Sequence, residues 1–454
     1  MAIAPRVPGP WMCAGLWLAA VGLAAVGLAV PAAAAASHPD SELAQIHDLN
    51  GRFPQKPSIA PTWSLSVDSL GFAPPGPLYL GQRNALASLD FMGENQILFT
   101  FRVPALLHRV PGVDQTDERE IRAVVLDLPS GALDSERNWM VYDRARYLWM
   151  LHDGHFLFRV GNDLLEGDPT LNLTPMLRFP GPLLSIDMDP AQNYLVTNSR
   201  EPVQPARQAG AAGTSAQMDS GSTDSDENSG ESSTPPDIVV RIMDLATKRV
   251  MLVSRVHTLI HLPINTDGHL GSLRGKGVEW AVDLNRFSGG DTILGNVKSA
   301  CTPDLDFISQ TQVLATACTD TGNDALVAMN TDGKTMWIDL TPDRLIWPLL
   351  TMSFDGLRFA RESLYVSHSV NAFNPLGSDD IKGQWVKVFD AATGKVVFES
   401  PATPILDAGG NVAISPSGRR VAVLNAGAIQ VFELPPPAPL PPPAAPAKPA
   451  APRH

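Results

Sequence analysis

Cysteine is nearly missing from this chain: there are three, Cys13 in the first apolar run and then only Cys301 and Cys318. With no Cys-x-x-Cys pair, the spacing that marks zinc ribbons and thioredoxin-like redox sites is excluded. There is also no Gly-x-Ser-x-Gly elbow, no phosphate-cradling Gly-x4-Gly-Lys-Ser/Thr, no His-Glu-x-x-His and no dinucleotide fingerprint, so the common hydrolase, nucleotide and metalloprotease signatures are absent. Basic residues are outnumbered, 34 Lys and Arg against 47 Asp and Glu, for a net charge of −13. That balance argues against a nucleic-acid groove and against adhesion to anionic lipid.

What the chain has in quantity is turn chemistry. From Asn411 to Leu434 (NVAISPSGRRVAVLNAGAIQVFEL) it spells strand, turn, strand, turn, strand. Ser415-Pro416-Ser417-Gly418 supplies a fixed φ followed by a permissive glycine, and Asn425-Ala426-Gly427 a second reversal. Similar units recur at Leu89–Phe101 with Ala123–Leu133, at Tyr142–Asp163, and at Leu183–Val196 with Val239–Val253. Others lie at Cys301–Ile338 and at Met352–Ala360 with Val386–Phe398. In each, an Asp or Asn followed by a Thr, Ser, Gly or Lys turn links the third strand to the fourth. One such meander cannot bury both faces, so the units must pack side by side.

The pairing of SPSG-like or SFDG-like turns with a VFDAATGK hairpin resembles the WD-repeat, quinoprotein-like and surface-layer-type β-propellers, over about 40 to 50 residues per blade. The resemblance spans roughly Thr62 to Leu434. It implies a fold and no particular member: the Trp-Asp dipeptide of ordinary WD repeats is missing, and so is the adjacent cysteine pair of quinone-dependent dehydrogenases. The expected fold class is all-β, a propeller of seven four-stranded blades at 86–139, 140–178, 183–256, 257–300, 301–342, 347–402 and 410–434. The segment 257–300 fits poorly, which leaves six or eight blades open. The last blade shows three strands; Thr62-Trp63-Ser64-Leu65-Ser66-Val67 alternates strongly enough to be its fourth, closing the ring and removing exposed sheet edges.

The N-terminus reads as an export signal over residues 1–36. Arg6 precedes the uncharged run Trp11–Val30, and Ala32 to Ser37 offers a small-residue cleavage site; an uncleaved membrane anchor is the alternative. In an oxidising compartment the remaining pair, Cys301 and Cys318, is expected to form a structural disulfide. Residues 37–61 read as a linker and 62–434 as the propeller. The Ser/Gly/Asp-rich insertion 201–236 reads as disordered rather than as a calcium loop, and the Pro-rich tail 435–454 as an extended spacer.

Few residues stand out for chemistry, and the catalytic residues are unknown at this level. His152-Asp153-Gly154-His155 reads as a hairpin turn before it reads as a ligand cluster. His257 and His261 share a face if their segment is a strand, but no third ligand is identifiable. Trp139, Trp149, Trp280, Trp337, Trp347 and Trp385 read as core. Arg102, Arg122, Arg200, Asp187, Glu279 and Arg361 lie near strand ends, where a channel mouth would draw side chains together. No cofactor or metal is expected. The resulting expectation is an exported, bacterial-type, monomeric protein of the periplasm or the secreted envelope. It would act as a non-enzymatic binding or scaffold protein for a protein or envelope-polymer partner, with no nucleic acid and no membrane integration after signal cleavage. The alternative is a propeller hydrolase or lactonase with its site at the channel mouth.

Overall fold

A computed structural model of the chain describes residues 54–76, 80, 84–103, 108–109, 117–142, 144–201, 237–257, 263–286, 291–309, 311–318, 324–331, 333–341, 345–346, 349–368 and 375–437. The export segment, the insertion beyond Glu201 and the tail beyond residue 437 lie outside the described residues, as do His261 and Trp347.

The described strands form seven antiparallel sheets. Their innermost to outermost strands run from Ala87–Phe91 to Leu133–Val141 in blade 1, Leu148–Met150 to Leu173–Arg178 in blade 2 and Leu183–Met188 to Arg249–Val256 in blade 3. Blade 5 extends from Asp304–Ser309 to Thr335–Thr341, and blade 6 from Leu345–Ile346 and Leu350–Met352 to Val396–Pro401. Blade 4, the poor fit in sequence, has three strands from His269–Lys276 to Asp291–Lys298, and its inner strand has shrunk to the single bridge Ile264–Leu270. In blade 7, Val412–Ile414, Arg420–Asn425 and Ala428–Glu433 are completed on the outer edge by Trp63–Ser66, in the register Trp63 to Val431 through Ser66 to Ala428.

The hydrophobic core shows that these sheets close on themselves. Seven of the buried clusters each bridge two consecutive blades: Trp139 with Phe158 joins blades 1 and 2, Leu157 with Leu195 blades 2 and 3, and Val240 with Leu270 blades 3 and 4. Val297 with Leu305 joins 4 and 5, Leu326 with Phe389 joins 5 and 6, and Phe398 with Phe432 joins 6 and 7. The seventh cluster packs Leu424, Ile429 and Val431 of blade 7 against Leu89, Phe99 and Val124 of blade 1, with Val67, Leu70 and Phe72 sealing it. The molecule is therefore a seven-bladed β-propeller, held by seven interfaces of the same kind. Every sheet buries both faces, which a lone meander cannot do.

All first strands run in one sense, so the connections divide between two faces. One face carries the first-to-second and third-to-fourth turns, such as 92–95, 189–193, 353–357 and 415–419, none longer than five residues. Their geometry explains the recurring sequence grammar. Asp189 accepts the N–H groups of Ala191 and Tyr194 at 3.0 and 2.6 Å, and Asn265 those of Asp267 and His269 at 3.0 and 2.8 Å. Ser353 and Ser415 use their hydroxyls in the same way towards Arg358 N–H at 3.0 Å and Arg420 N–H at 3.1 Å. Asp244 and Asp390 each take both the N–H and the hydroxyl of the threonine three residues on. These are Asx- and ST-type turns, whose polar side chains stand in for lost ladder partners. Gly356 sits at φ +69°, where a Cβ would lie 2.7 Å from the Ile308 carbonyl oxygen of the preceding blade, so only glycine fits.

The opposite face carries the second-to-third and blade-to-blade connections, including the long ones 67–86, 103–116, 201–237, 367–380 and 402–411. The polypeptide enters the ring through residues 54–62 beside the outer strand of blade 6, where Ser58 N–H bonds Glu399 O at 2.8 Å, and leaves after Glu433. Both passages lie on the short-turn face.

Candidate functional site

The disulfide expected from sequence is present: Cys301 and Cys318 are bonded, with a Cα–Cα distance of 5.5 Å. It ties the connection between blades 4 and 5 to the end of the second strand of blade 5, on the long-connection face. The Ser299 hydroxyl accepts both cysteine N–H groups beneath it, at 3.4 and 2.9 Å.

The polar groups nearest the inner strands come from blades 6, 1 and 2 and from the connection 402–411. Glu362 lies on the second strand of blade 6 and is fully buried; its carboxylate accepts the N–H groups of Gly410 and Asn411 at 2.9 and 3.1 Å and the Gln384 Nε2–H at 2.8 Å. Gln384 also bonds both the N–H and the carbonyl of Leu406, so the two side chains hold the connection 402–411 between blades 6 and 7. Burial pushes Glu362 up to about 7, against the lowering effect of those N–H donors. Gly410 stands at φ +109°, and a Cβ there would lie 2.2 Å from Ala87 O, which brings this connection onto the inner strand of blade 1.

On that inner strand, Ser88 donates its hydroxyl to Asp90 at 2.5 Å. Burial raises the Asp90 carboxyl, while Ser88 and the charge of Arg146 pull it down. Arg146 precedes the inner strand of blade 2. Its Nε–H bonds Leu148 O at 3.0 Å and its guanidinium carbon lies 5.4 Å from the centre of the Trp149 ring. Desolvation lowers the Arg146 pKa, opposed by Asp90 and Glu362, yet the side chain is exposed and Asp90 only half-buried. Next in sequence, the buried Tyr147 shares a hydrogen bond with Thr100 at 2.9 Å, and burial pushes its hydroxyl up to about 12.

The other end of the channel is bridged. Phe354, in the short turn of blade 6, packs against the blade 1 and 2 core and meets His152 of blade 2 with ring centroids 4.7 Å apart. His152-Asp153-Gly154 is indeed a turn, with Asp153 at φ 57° and His152 Nε2 2.9 Å from Ala191 O.

Of the six strand-end candidates, the structure brings only Arg102 to this site: it is buried, donates to Ala85 O at 2.6 Å and lies over Tyr147 at 5.7 Å. Arg122 pairs with Glu136 at 2.8 Å, Arg200 with Asp237 at 3.1 Å, and Glu279 with Lys298 at 3.7 Å, on blades 1, 3 and 4. Arg361 is buried between blades 5 and 6, 3.4 Å from Asp339. Asp187 occupies in blade 3 the place that Asp90 holds in blade 1, two residues before the turn. His257 is exposed. Trp139, Trp149 and Trp385 are buried, and the half-buried Trp280 and Trp337 donate their indole N–H to Ser299 O and Ala391 O. Sequence reasoning missed Asp90, Arg146 and Glu362. The available signal was polarity breaking an apolar strand, in ALASLDF and in RFARESLYV.

Among the described residues no group of three or more His, Cys, Asp or Glu side chains could hold a metal ion, and no helix is long and apolar enough to cross a membrane.

No protein-family model matches the chain, and no curated protein matches it. Among solved structures it is similar to an acylaminoacyl peptidase in complex with Z-Gly-Gly-Phe-chloromethyl ketone, at 10% identity over 78% of this chain and 53% of that one, with a TM-score of 0.42. It is also similar to the β-propeller domain of the Trilobed protease from Pyrococcus furiosus, at 11% identity over 77% of this chain and 94% of that one, TM-score 0.43. TolB from Acinetobacter baumannii matches at 11% identity over 74% and 80% of the two chains, TM-score 0.36. The chain spans about half the length of the acylaminoacyl peptidase.

Proposed function

We propose that this protein is an exported, non-catalytic propeller of the periplasm or secreted envelope that holds a protein or envelope-polymer partner on its long-connection face. The observation that carries this reading is the division of labour between the faces. All the long connections leave from one side, where loops on a rigid scaffold serve binding, and the other side has turns too short to form a surface of their own. The disulfide supports an oxidising compartment. The carboxylates at the channel mouth are engaged within the chain: Glu362 accepts backbone N–H groups and Asp90 accepts the Ser88 hydroxyl, which favours binding over acid and base chemistry.

The test is purification of the full chain from its own envelope after mild cross-linking, with elemental analysis of the same sample. A reproducible protein or polymer partner and no stoichiometric metal is the expected result. A metal at one equivalent with no partner would favour the hydrolase reading instead.

A further inference from the structure

Three of the eight large apolar side chains exposed among the described residues stand on one strand. They are Val250 at 37%, Met251 at 48% and Val253 at 58%, on the outer strand of blade 3, Arg249–Val256. That strand ends its sheet, so its outer edge pairs with no described strand and presents a row of backbone donors and acceptors. The other outer edges are blunted or short. Blade 1 exposes Asp134, Glu136 and Arg137 there, and blade 2 carries Pro175, which has no N–H. Blade 6 is screened by the entering chain: Ser58 N–H donates to Glu399 O at 2.8 Å, and Glu399 N–H to the Ser58 hydroxyl at 3.0 Å. The outer strand of blade 7 has four residues, that of blade 4 carries one acid and one base, and that of blade 5 sets Asp339 between exposed Ile338 and Leu340.

The register of Arg249–Val256 shows which part of the edge is usable. Val250 faces Met243 and Leu252 faces Ile242, so Met251 lies between them as a bulge, which bends the edge and stops regular pairing there. From Leu252 to Val256 the ladder is regular, and this half runs up to the long-connection face. Leu252 and Val256 pack into the core between blades 3 and 4, which leaves Val253 and Arg255 on the other side of the sheet. Arg255 is exposed and also donates to Glu201 O at 3.4 Å. The strand's only charges are Arg249 and Arg255, in a chain of net charge −13. A second copy would bring the same two arginines and the same acidic body, like against like. An extended peptide with carboxylates beside apolar side chains is complementary on both counts, and strand addition supplies its backbone hydrogen bonds. We infer that the edge Leu252–Val256 accepts an extended, acidic and alternately apolar segment of a partner protein as a fifth strand of blade 3. The segment stops short of Lys248, which stands at φ 55° and pairs with Glu166 of blade 2. This site does not depend on a partner held by the long connections.

The test is fluorescence anisotropy of the full chain with two capped, labelled peptides, Glu-Val-Thr-Val-Thr-Val-Glu and the same sequence with lysine in place of both glutamates. The acidic peptide should bind at least ten-fold more tightly than the basic one. N-methylating its central residues, which removes ladder N–H groups and alters no side chain, should abolish saturable binding. Val253→Glu and Arg255→Glu should each weaken the acidic peptide at least ten-fold, with unfolding temperatures unchanged; should Arg255→Glu fail to fold, Val253→Glu alone decides. No binding of the acidic peptide, equal affinity for both peptides, full affinity after N-methylation or unchanged affinity in a folded variant would each overturn the assignment. So would sedimentation showing a dimer that Val253→Glu dissociates, which gives the edge to a second copy, or peptide binding seen only after deletion of 205–234, which gives it to the chain's own acidic stretch.

Discussion

On one face of this ring every turn is five residues or fewer, and one set of polar side chains recurs in capping it: Asp189, Asn265, Ser353, Ser415, Asp244 and Asp390 all accept N–H groups a few residues on, while Glu94, His152 and Gln192 bond across to the adjacent blade. On the other face the connections 103–116, 201–237, 367–380 and 402–411 leave, and the turn caps do not recur. Glu362 of blade 6 holds the entry to blade 7, and Arg146 of blade 2 answers charges on blades 1 and 6. The same strands thus end in a repeated turn grammar on one side and in unrepeated connections on the other. A turn cap that repeats serves the fold; a connection that occurs once can serve a partner.

The largest effect expected concerns the seam where the chain ends meet. Deleting 59–70 removes the outer strand of blade 7 together with buried Val67 and Leu70. At about 1.5–3 kcal/mol per buried apolar side chain plus the ladder bonds, the loss should be at least about 5 kcal/mol and should open the ring. Deleting 205–234 from the long-connection face should leave thermal unfolding within a degree or two. Equal tolerance of both in circular-dichroism melts would break the closure model.

Next in size is the disulfide. Replacing Cys301 and Cys318 together by serine releases a loop with a sequence separation of 17 and should cost roughly 3 kcal/mol on the chain-entropy estimate, read as a lower denaturant midpoint.

One carboxylate from each face then separates the two kinds of chemistry by pH. Glu362 is raised from 4.5 to about 7, so the folded state holds its proton more tightly than the unfolded chain. Its contribution is complete below pH 4.5 and is lost as pH rises to 7, about 3 kcal/mol in all. Asp168, in a short turn, is lowered to about 2 by Thr170 and Asn172; its contribution is present above pH 3.8 and disappears as pH falls through 2. Denaturant titrations from pH 4.5 to 7 should lose slope in Glu362→Gln and keep it in Asp168→Asn. The smallest effect expected is that of Asp168→Asn itself at neutral pH, because the group is solvent-exposed.

The same contrast explains what could be read from the sequence. Turn residues act within five positions of themselves, so SPSG, SFDG and DAATGK announced the blades and their order directly, and the alternation of Thr62 to Val67 announced the closing strand. The difficult stretch 257–300 turned out to be the blade whose inner strand is only the Ile264–Leu270 bridge. The channel mouth was opaque because Asp90, Arg146, Glu362 and Gly410 are separated by tens to hundreds of residues and meet only through ring geometry. Only the intrusion of Ser88, Asp90 and Glu362 into apolar strands hinted at it.

The most direct test of a single working face is photo-cross-linking in the intact envelope, with the reactive residue placed in turn at exposed positions on both sides. Arg178 and Val278 stand on the long-connection face, and Leu133 and Lys248 on the short-turn face. Adducts to one partner from Arg178 or Val278 and none from Leu133 or Lys248 is the result expected. Adducts of equal yield from both faces, or from the short-turn face alone, would contradict it.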